Sequence, residues 1–588
     1  MKMMMKRVFV LIAACLLLVT AGGCAAFQLF RAAGELKHVP SPTPYASPAP
    51  LPESKRADVH FSDMAYTRPD TKAIGEKLDA LSAAITRGDP AEELLAAYTE
   101  ITDLYNDADS QMSLAYLLYA FDVTEDTYET EYSTLQSELT RLDLSMTDVS
   151  IALFESSAEA ESAAKSAFGE EYVETVYAEE SLNDEKIQDL VDAENELVVE
   201  YDRLSTSFTV SDRGRQWTLD DILADDTLDY NGYLALYQTY CEAFNREAGE
   251  IFTELLGIRK QIAETLGYGS YAAYGYDLYG RDYTVLDAQR LHAAVKKYIV
   301  PVYLAAEDDT DQLIGLYRAD FDEETFLANL RTVASAFSPD LSESLSYLLK
   351  NGLYDTAVSS KKMEGSFTTY LSNYNAPFLF TQWTGGSGDP STFIHELGHF
   401  TNFYHNPAAG WSAGDSLDLA EVDSQALELL TIAYYDTIYG EYAEAAETDR
   451  LMDCMYAILS GCMEDEFQQA VYAHPSMTLD EMNALYRKLA GEYGFAELYG
   501  YTGTEWAMVP HTFQSPMYYI SYAASMLPAL ELWERSQTDL AGAEETYFRI
   551  LRRKPYAGFL ETLEENDLSN VFSPDTVRRL ASVIRDNL

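Results

Sequence analysis

The stretch Asp389-Pro390-Ser391-Thr392-Phe393-Ile394-His395-Glu396-Leu397-Gly398-His399-Phe400 decides how this chain is read, because it holds HExxH together with its own helix-start signals. Asp389 is a good N-cap and Pro390 is pre-set for the first helical position, so both histidines are expected on one regular helix. Four residues at about 100° each return nearly to the same side, and the two imidazoles converge on one point. Neutral imidazole nitrogens bind zinc at about 2.0–2.1 Å, and a catalytic zinc keeps its fourth position open for water. Glu396, next to His395, flanks such a site as the base that takes a proton from that water. Two histidines alone are one ligand short.

Two residues compete for the third position. His405 lies ten residues after His395, at the end of the metzincin pattern HExxHxxGxxH. The glycine that turns the chain in that pattern is here Asn402, which tolerates left-handed backbone better than other non-glycine residues. Glu421 lies 26 residues after His395, in a second predicted helix near 416–430 with Asp415 or Ser416 as its cap. Asp418, Glu421, Gln425 and Glu428 recur there at spacings of 3, 4 and 3, along one helix face. That stripe fits one metal ligand with Asp418 and Glu428 as neighbouring carboxylates that hold the histidine rings.

These residues resemble the oligoendopeptidase F branch of the thimet oligopeptidase-like zinc peptidases. That family has HExGH followed at this distance by a glutamate in an E-V-x-S context, as in His395-Glu396-Leu397-Gly398-His399 and Glu421-Val422-Asp423-Ser424. The approach Phe378-Leu379-Phe380-Thr381-Gln382-Trp383-Thr384-Gly385 is similar too, as is the upstream series Arg259, Ile262, Ala263, Leu266, Gly267, Tyr268 and Tyr271. Asn402 departs from it, since many members have a histidine there that is not a ligand. The resemblance implies a mainly α fold: a large helical two-lobed body with a deep central cleft and a small β-sheet next to the HExxH helix. It implies one Zn²⁺ per chain on His395, His399 and Glu421, with Glu396 as base. It places the family's transition-state donors at His511 and Tyr522, with Tyr518 and Tyr519 as secondary candidates and, with Phe380, as substrate-binding residues.

The reaction so implied is hydrolysis of short unstructured oligopeptides by a water on zinc that Glu396 activates. One alternative is a metzincin-type protease with His405 as third ligand. Another is a catalytically inactive peptide-binding lipoprotein, against which the intact Glu396 argues.

At the start of the chain, Lys2, Lys6 and Arg7 precede the apolar run Val8 to Val19, an export signal. Ala21-Gly22-Gly23-Cys24 resembles a bacterial lipoprotein processing site, so residues 1–23 are expected to be removed and Cys24 lipidated. The alternative is an uncleaved anchor, since Val8 to Phe30 carries no charge and is long enough to span a bilayer. Either way the body is tethered at the outer face of the cytoplasmic membrane. Residues 24–58 form a linker with prolines at 40, 42, 44, 48, 50 and 52, a semi-rigid spacer. Residues 59–200 are expected to form an N-terminal helical domain and 201–588 the peptidase domain.

Net charge is −56, or −59 once Lys2, Lys6 and Arg7 are gone, a surface that repels nucleic acid and anionic lipid. The expected partners are therefore oligopeptides, with membrane contact only through the N-terminus and a monomer as the default state. Cys241, Cys454 and Cys462 suggest core thiols rather than a disulfide framework. Phe367–Leu371 and Phe378–Trp383 read as two short strands, the second offering its edge to an extended peptide. The glycine-rich run Thr384–Asp389 lacks the Lys-Ser/Thr of a phosphate loop, which excludes nucleotide binding by that motif.

Overall fold

The computed structural model describes residues 60–170, 172–173, 176–177, 185–225, 227–307, 313–363, 365–406, 416–554 and 557–588. The expected export signal, Cys24, the proline-rich linker and Asp415 lie outside them. Among the described residues no helix is long and apolar enough to cross a membrane.

As the amphipathic periodicity predicts, the body is built almost wholly of helices. The first four long ones, Thr71–Arg87, Ala91–Phe121, Asp126–Ser156 and Ala158–Phe168, close around a small core that includes Leu78, Tyr98, Leu139 and Phe154. Their punctuation is local: the Asp70 carboxylate accepts from Ala73 N, and Gly88, at φ +74°, ends the first helix in the left-handed region that favours glycine. The C-terminal half of Ala91–Phe121 turns Leu114, Tyr116, Leu117 and Ala120 into a second, larger core that runs through the rest of the body. Helix Glu185–Ser207 carries Tyr201 into the same core and packs on Tyr230–Thr265, so residue 200 falls inside a helix and not in a linker.

A three-stranded sheet lies ahead of the HExxH helix. The order is Tyr354–Asp355, Ala376–Phe380, Phe367–Leu371, with the middle strand parallel to the first and antiparallel to the last. The two expected strands are there, but their roles are exchanged. Ala376–Phe380 is apolar and buried at every position, as a central strand must be, so the strand before the HExxH helix has no free edge; that edge belongs to Phe367–Leu371. Asn375, at φ +45°, makes the turn between them.

The HExxH helix, Asp389–His405, crosses the carboxylate helix, Leu417–Leu430, at Gly398. Helix Ile520–Ser536 packs against the carboxylate helix and against the long helix Ala443–Ala473, where Gly461 makes room for the Tyr519 carbonyl. Because Ala443–Ala473 is unbroken, Cys454 and Cys462 stay apart on it; both are buried free thiols, as is Cys241.

Candidate metal centre and catalytic site

His395 and His399 fall on one face of the HExxH helix, with ring centroids 5.0 Å apart. Ligand atoms from His395, His399 and Glu421 all lie within 4.8 Å of one another. His395 Nε2 is 3.9 Å from Glu421 Oε2, and the His395 side chain keeps 28% of its surface exposed, which leaves the group open to solvent on one side. Two imidazoles and a carboxylate are the donor set of a catalytic zinc with one position left over.

His405 is not part of this group. The helix runs straight through Asn402, whose side-chain amide donates to Asp423 Oδ2 at 2.6 Å, and His405 Nε2 lies 3.1 Å from the Asp340 carbonyl. The metzincin arrangement needs a turn at 402, and continuous helix with a buried hydrogen bond from the Asn402 side chain replaces it. Asp389 also differs from expectation. Gly388 is the N-cap, and Asp389 sits in the first turn, where its carboxylate accepts from Gly385 N at 2.7 Å and Gly386 N at 3.1 Å. It pins the glycine-rich loop instead of the helix.

The carboxylate helix divides its stripe between partners. Glu428 Oε1 sits 2.8 Å from His395 Nδ1, and its other oxygen accepts from Ser391 Oγ at 2.8 Å and from Arg450. That fixes the His395 tautomer with Nε2 toward the metal group, as an outer carboxylate does for a zinc histidine. Burial raises Glu428, but the Arg450 charge and the His395 bond outweigh it and hold it at about 2. Burial pulls His395 down, and Glu428 with the Glu421 and Glu396 charges more than reverses this, to about 9; burial and the His395 charge leave His399 at about 3.

Asp418 holds no histidine. It is buried opposite Arg281, whose Nε is 3.8 Å away, while Gln425 accepts from Ser525 Oγ at 2.9 Å. Asp423, fully buried, also ties the two helices together: it accepts from Asn402 of the HExxH helix and from Arg553 at 2.8 and 2.9 Å.

Glu396 lies beside the group, 5% exposed, and accepts at Oε2 from Thr368 Oγ1 at 2.8 Å. Burial raises it to about 7 against the opposing His395 charge and Thr368 bond. A carboxylate next to the metal group that changes protonation near neutrality has the properties of a general base.

The downstream segment reaches the same place. Burial and then the Glu421 charge raise the Tyr518 phenol, and Glu421 acts on Tyr522 as well. His511 is 2% exposed, its ring centroid 5.1 Å from Tyr518 and 6.2 Å from Tyr522, and burial lowers it to about 4. Arg259, from the upstream similarity, is fully buried and donates to the carbonyls of Thr512 and Phe513, so it anchors the His511 turn. Tyr519 packs on His511 as well, ring centroids 5.1 Å apart, but the carboxylate that acts on its phenol is Glu464, on the long helix. Phe380 is fully buried with its ring stacked on Phe367, centroids 4.8 Å apart, so it is a packing residue and not a substrate contact.

Residues 61–181 match the peptidase M3 N-terminal domain. The whole body superimposes on PZ peptidase A with an inhibitor, at TM-score 0.75 and 24% identity, over 90% of this chain and 98% of that one. A Bacillus anthracis str. Ames protein assigned as an oligoendopeptidase F gives 0.73 and 22%, over 90% and 98%. The oligoendopeptidase-F of Enterococcus faecium gives 0.58 and 12%, over 88% and 96%. The fold is that of the oligoendopeptidase F peptidases. Among curated proteins none matches the chain by sequence.

Within this oligoendopeptidase F fold, sequence reading missed Thr368, Ser391, Arg450 and Arg553. Ser391 alone carried a signal, since it stands one turn before His395 on a helix whose next-door neighbour was already predicted to be acidic. The other three come from separate segments and belong to no motif.

Proposed function

We propose that this chain is a zinc-dependent endopeptidase that hydrolyses short, unstructured oligopeptides. The observation that carries the reading is the meeting of His395, His399 and Glu421 within 4.8 Å beside the buried carboxylate of Glu396. One zinc ion on these ligands supplies a Lewis acid for the scissile carbonyl and an acidified water. Glu396 takes the proton of the attacking water and passes it to the leaving amine, a task suited to a carboxyl group held at about 7. His511, kept neutral by burial, and Tyr522, a phenol raised well above 10, remain protonated donors to the carbonyl oxygen as negative charge builds there. Tyr518 stands beside them as a substrate contact.

Glu396→Gln is expected to retain zinc and lose nearly all hydrolysis of a fluorogenic peptide, and unchanged turnover overturns the reading. Glu421→Ala is expected to release zinc while His405→Ala keeps it; the reverse result moves the third ligand to His405.

The location belongs to the same proposal. Lys2, Lys6 and Arg7, the apolar run and Cys24 support a body outside the cytoplasmic membrane, held by lipid on Cys24. Intact mass of membrane-extracted protein is expected to show a chain that begins at a modified Cys24. A chain that keeps Met1 means an uncleaved anchor, and enzyme found in the cytoplasm overturns both. Protein starting near Val59 is expected to be soluble, monomeric and active.

A further inference from the structure

The Thr368 hydroxyl stands 2.8 Å from Glu396 Oε2 and 3.0 Å from the backbone carbonyl oxygen of the same residue. A hydroxyl has one proton to donate and two lone pairs to accept with, so it serves these two acceptors one at a time. With Glu396 ionised, the hydroxyl donates to Oε2. The proton that Glu396 carries between water and the leaving nitrogen sits on Oε1, so Oε2 goes on accepting from Thr368.

We propose that Thr368 is a positioning residue whose hydroxyl, bonded to Oε2, holds the Glu396 carboxyl group in one orientation through turnover. The inference rests on Glu396 being the base. No bond at Thr368 breaks: its proton stays on Oγ1, while the proton moved in catalysis passes from water to Glu396 and from Glu396 to the leaving nitrogen.

The surroundings make such a contact stiff. A β-branched side chain on a strand has few χ1 choices. Thr368 pairs with Leu379 of the central strand, and the preceding Phe367 stacks on Phe380 and meets Tyr116 of helix Ala91–Phe121 at 5.1 Å. That helix also holds both ends of the strand region, with Ser110 Oγ accepting from Asn373 N at 3.2 Å and the Ala120 carbonyl from Met363 N at 2.8 Å. A precise site needs a supporting layer of this kind.

The test compares Thr368→Val, which keeps the shape and removes the hydroxyl, with Thr368→Ser, which keeps the hydroxyl, recording melting temperature, zinc content, kcat and KM for each. Thr368→Val is expected to lose roughly 10- to 100-fold in kcat with KM nearly unchanged, and Thr368→Ser to recover most of it. In crystals of the zinc-free proteins the Glu396 carboxylate is expected to move in the valine variant and stay in the serine variant. Parental kcat in Thr368→Val, a loss confined to KM, a serine variant as impaired as the valine one, or an unmoved Glu396 each overturns the proposal. If the parent shows no zinc-dependent hydrolysis, the functional reading fails instead, and the crystal comparison still judges the contact.

Discussion

Gly398 meets the backbone of Ser424 where the HExxH helix crosses the carboxylate helix: a Cβ at 398 stands 2.6 Å from Ser424 Cα and 2.7 Å from the Asp423 carbonyl oxygen. Neither neighbour is a side-chain tip that can swing aside, so a methyl group there pushes the helices apart. Gly398→Ala is expected to cost about 1–3 kcal/mol of stability and to weaken zinc binding, because Glu421 rides on the displaced helix. Thermal unfolding and a chelator competition check the two effects, and a variant with parental values in both contradicts the crossing described above.

Glu428 and Asp418 share a helix face but differ in what they hold. Glu428→Gln is expected to lower zinc affinity about 10- to 100-fold through the His395 ring. Asp418→Asn is expected to leave zinc affinity unchanged and to lower stability, since it faces buried Arg281. A chromogenic chelator titration of both variants separates the roles.

The metal site should compete with protons. In the metal-free protein His395 is raised from 6.5 to about 9, so at pH 7 it carries a proton that zinc must displace, whereas His399, at about 3, carries none. Zinc affinity is therefore expected to rise about tenfold per pH unit from 7 toward 9 and then to level off. The stability of the metal-free protein runs the other way. A raised histidine contributes fully below its unfolded value, 6.5, and that contribution is lost as pH climbs through about 9. Calorimetry at pH 7 in buffers of different ionisation enthalpy should record about one proton released per zinc bound.

Arg553 and Asp423 form a paired charge in the core, bonded at two points, with side chains 2% and 0% exposed. Arg553→Met leaves Asp423 charged and buried, and is expected to cost about 3–5 kcal/mol in urea unfolding. Lys72→Met, at the exposed pair with Glu76, is expected to change stability by less than about 0.5 kcal/mol.

The HExxH helix was legible because i,i+4 spacing alone brings His395 and His399 to one side, and Glu428 because a stripe at spacings of 3 and 4 fixes a face. A face does not name a partner, which is why Asp418, on the same stripe, was misassigned: Arg281, which it meets, comes from a segment far upstream. Phe380 was misread for a similar reason. Which strand is central depends on Tyr354–Asp355, two residues long and too short for any period, and that pairing buries Phe380. Glu421 stood level with His405 on spacing and was singled out only by resemblance; the straight helix through Asn402 supplies the physical reason. Thr368 had no local signal, because its value lies in what the fold sets opposite it.

The small core of the N-terminal helices draws only on residues between Ile74 and Val176. Its contacts are local in sequence, which favours early closure, and it precedes most of the larger core in the chain. Helix Ala91–Phe121 then stands complete with Leu114, Tyr116, Leu117 and Ala120 still bare, hundreds of residues ahead of the helices that finish the larger core. When strand Phe367–Leu371 arrives, it finds a platform already in place, and the HExxH helix, next in sequence, seats on a sheet that has just been moored. The metal-binding group waits longer still, because Arg450 and Arg553, which hold Glu428 and Asp423, come after it in the chain.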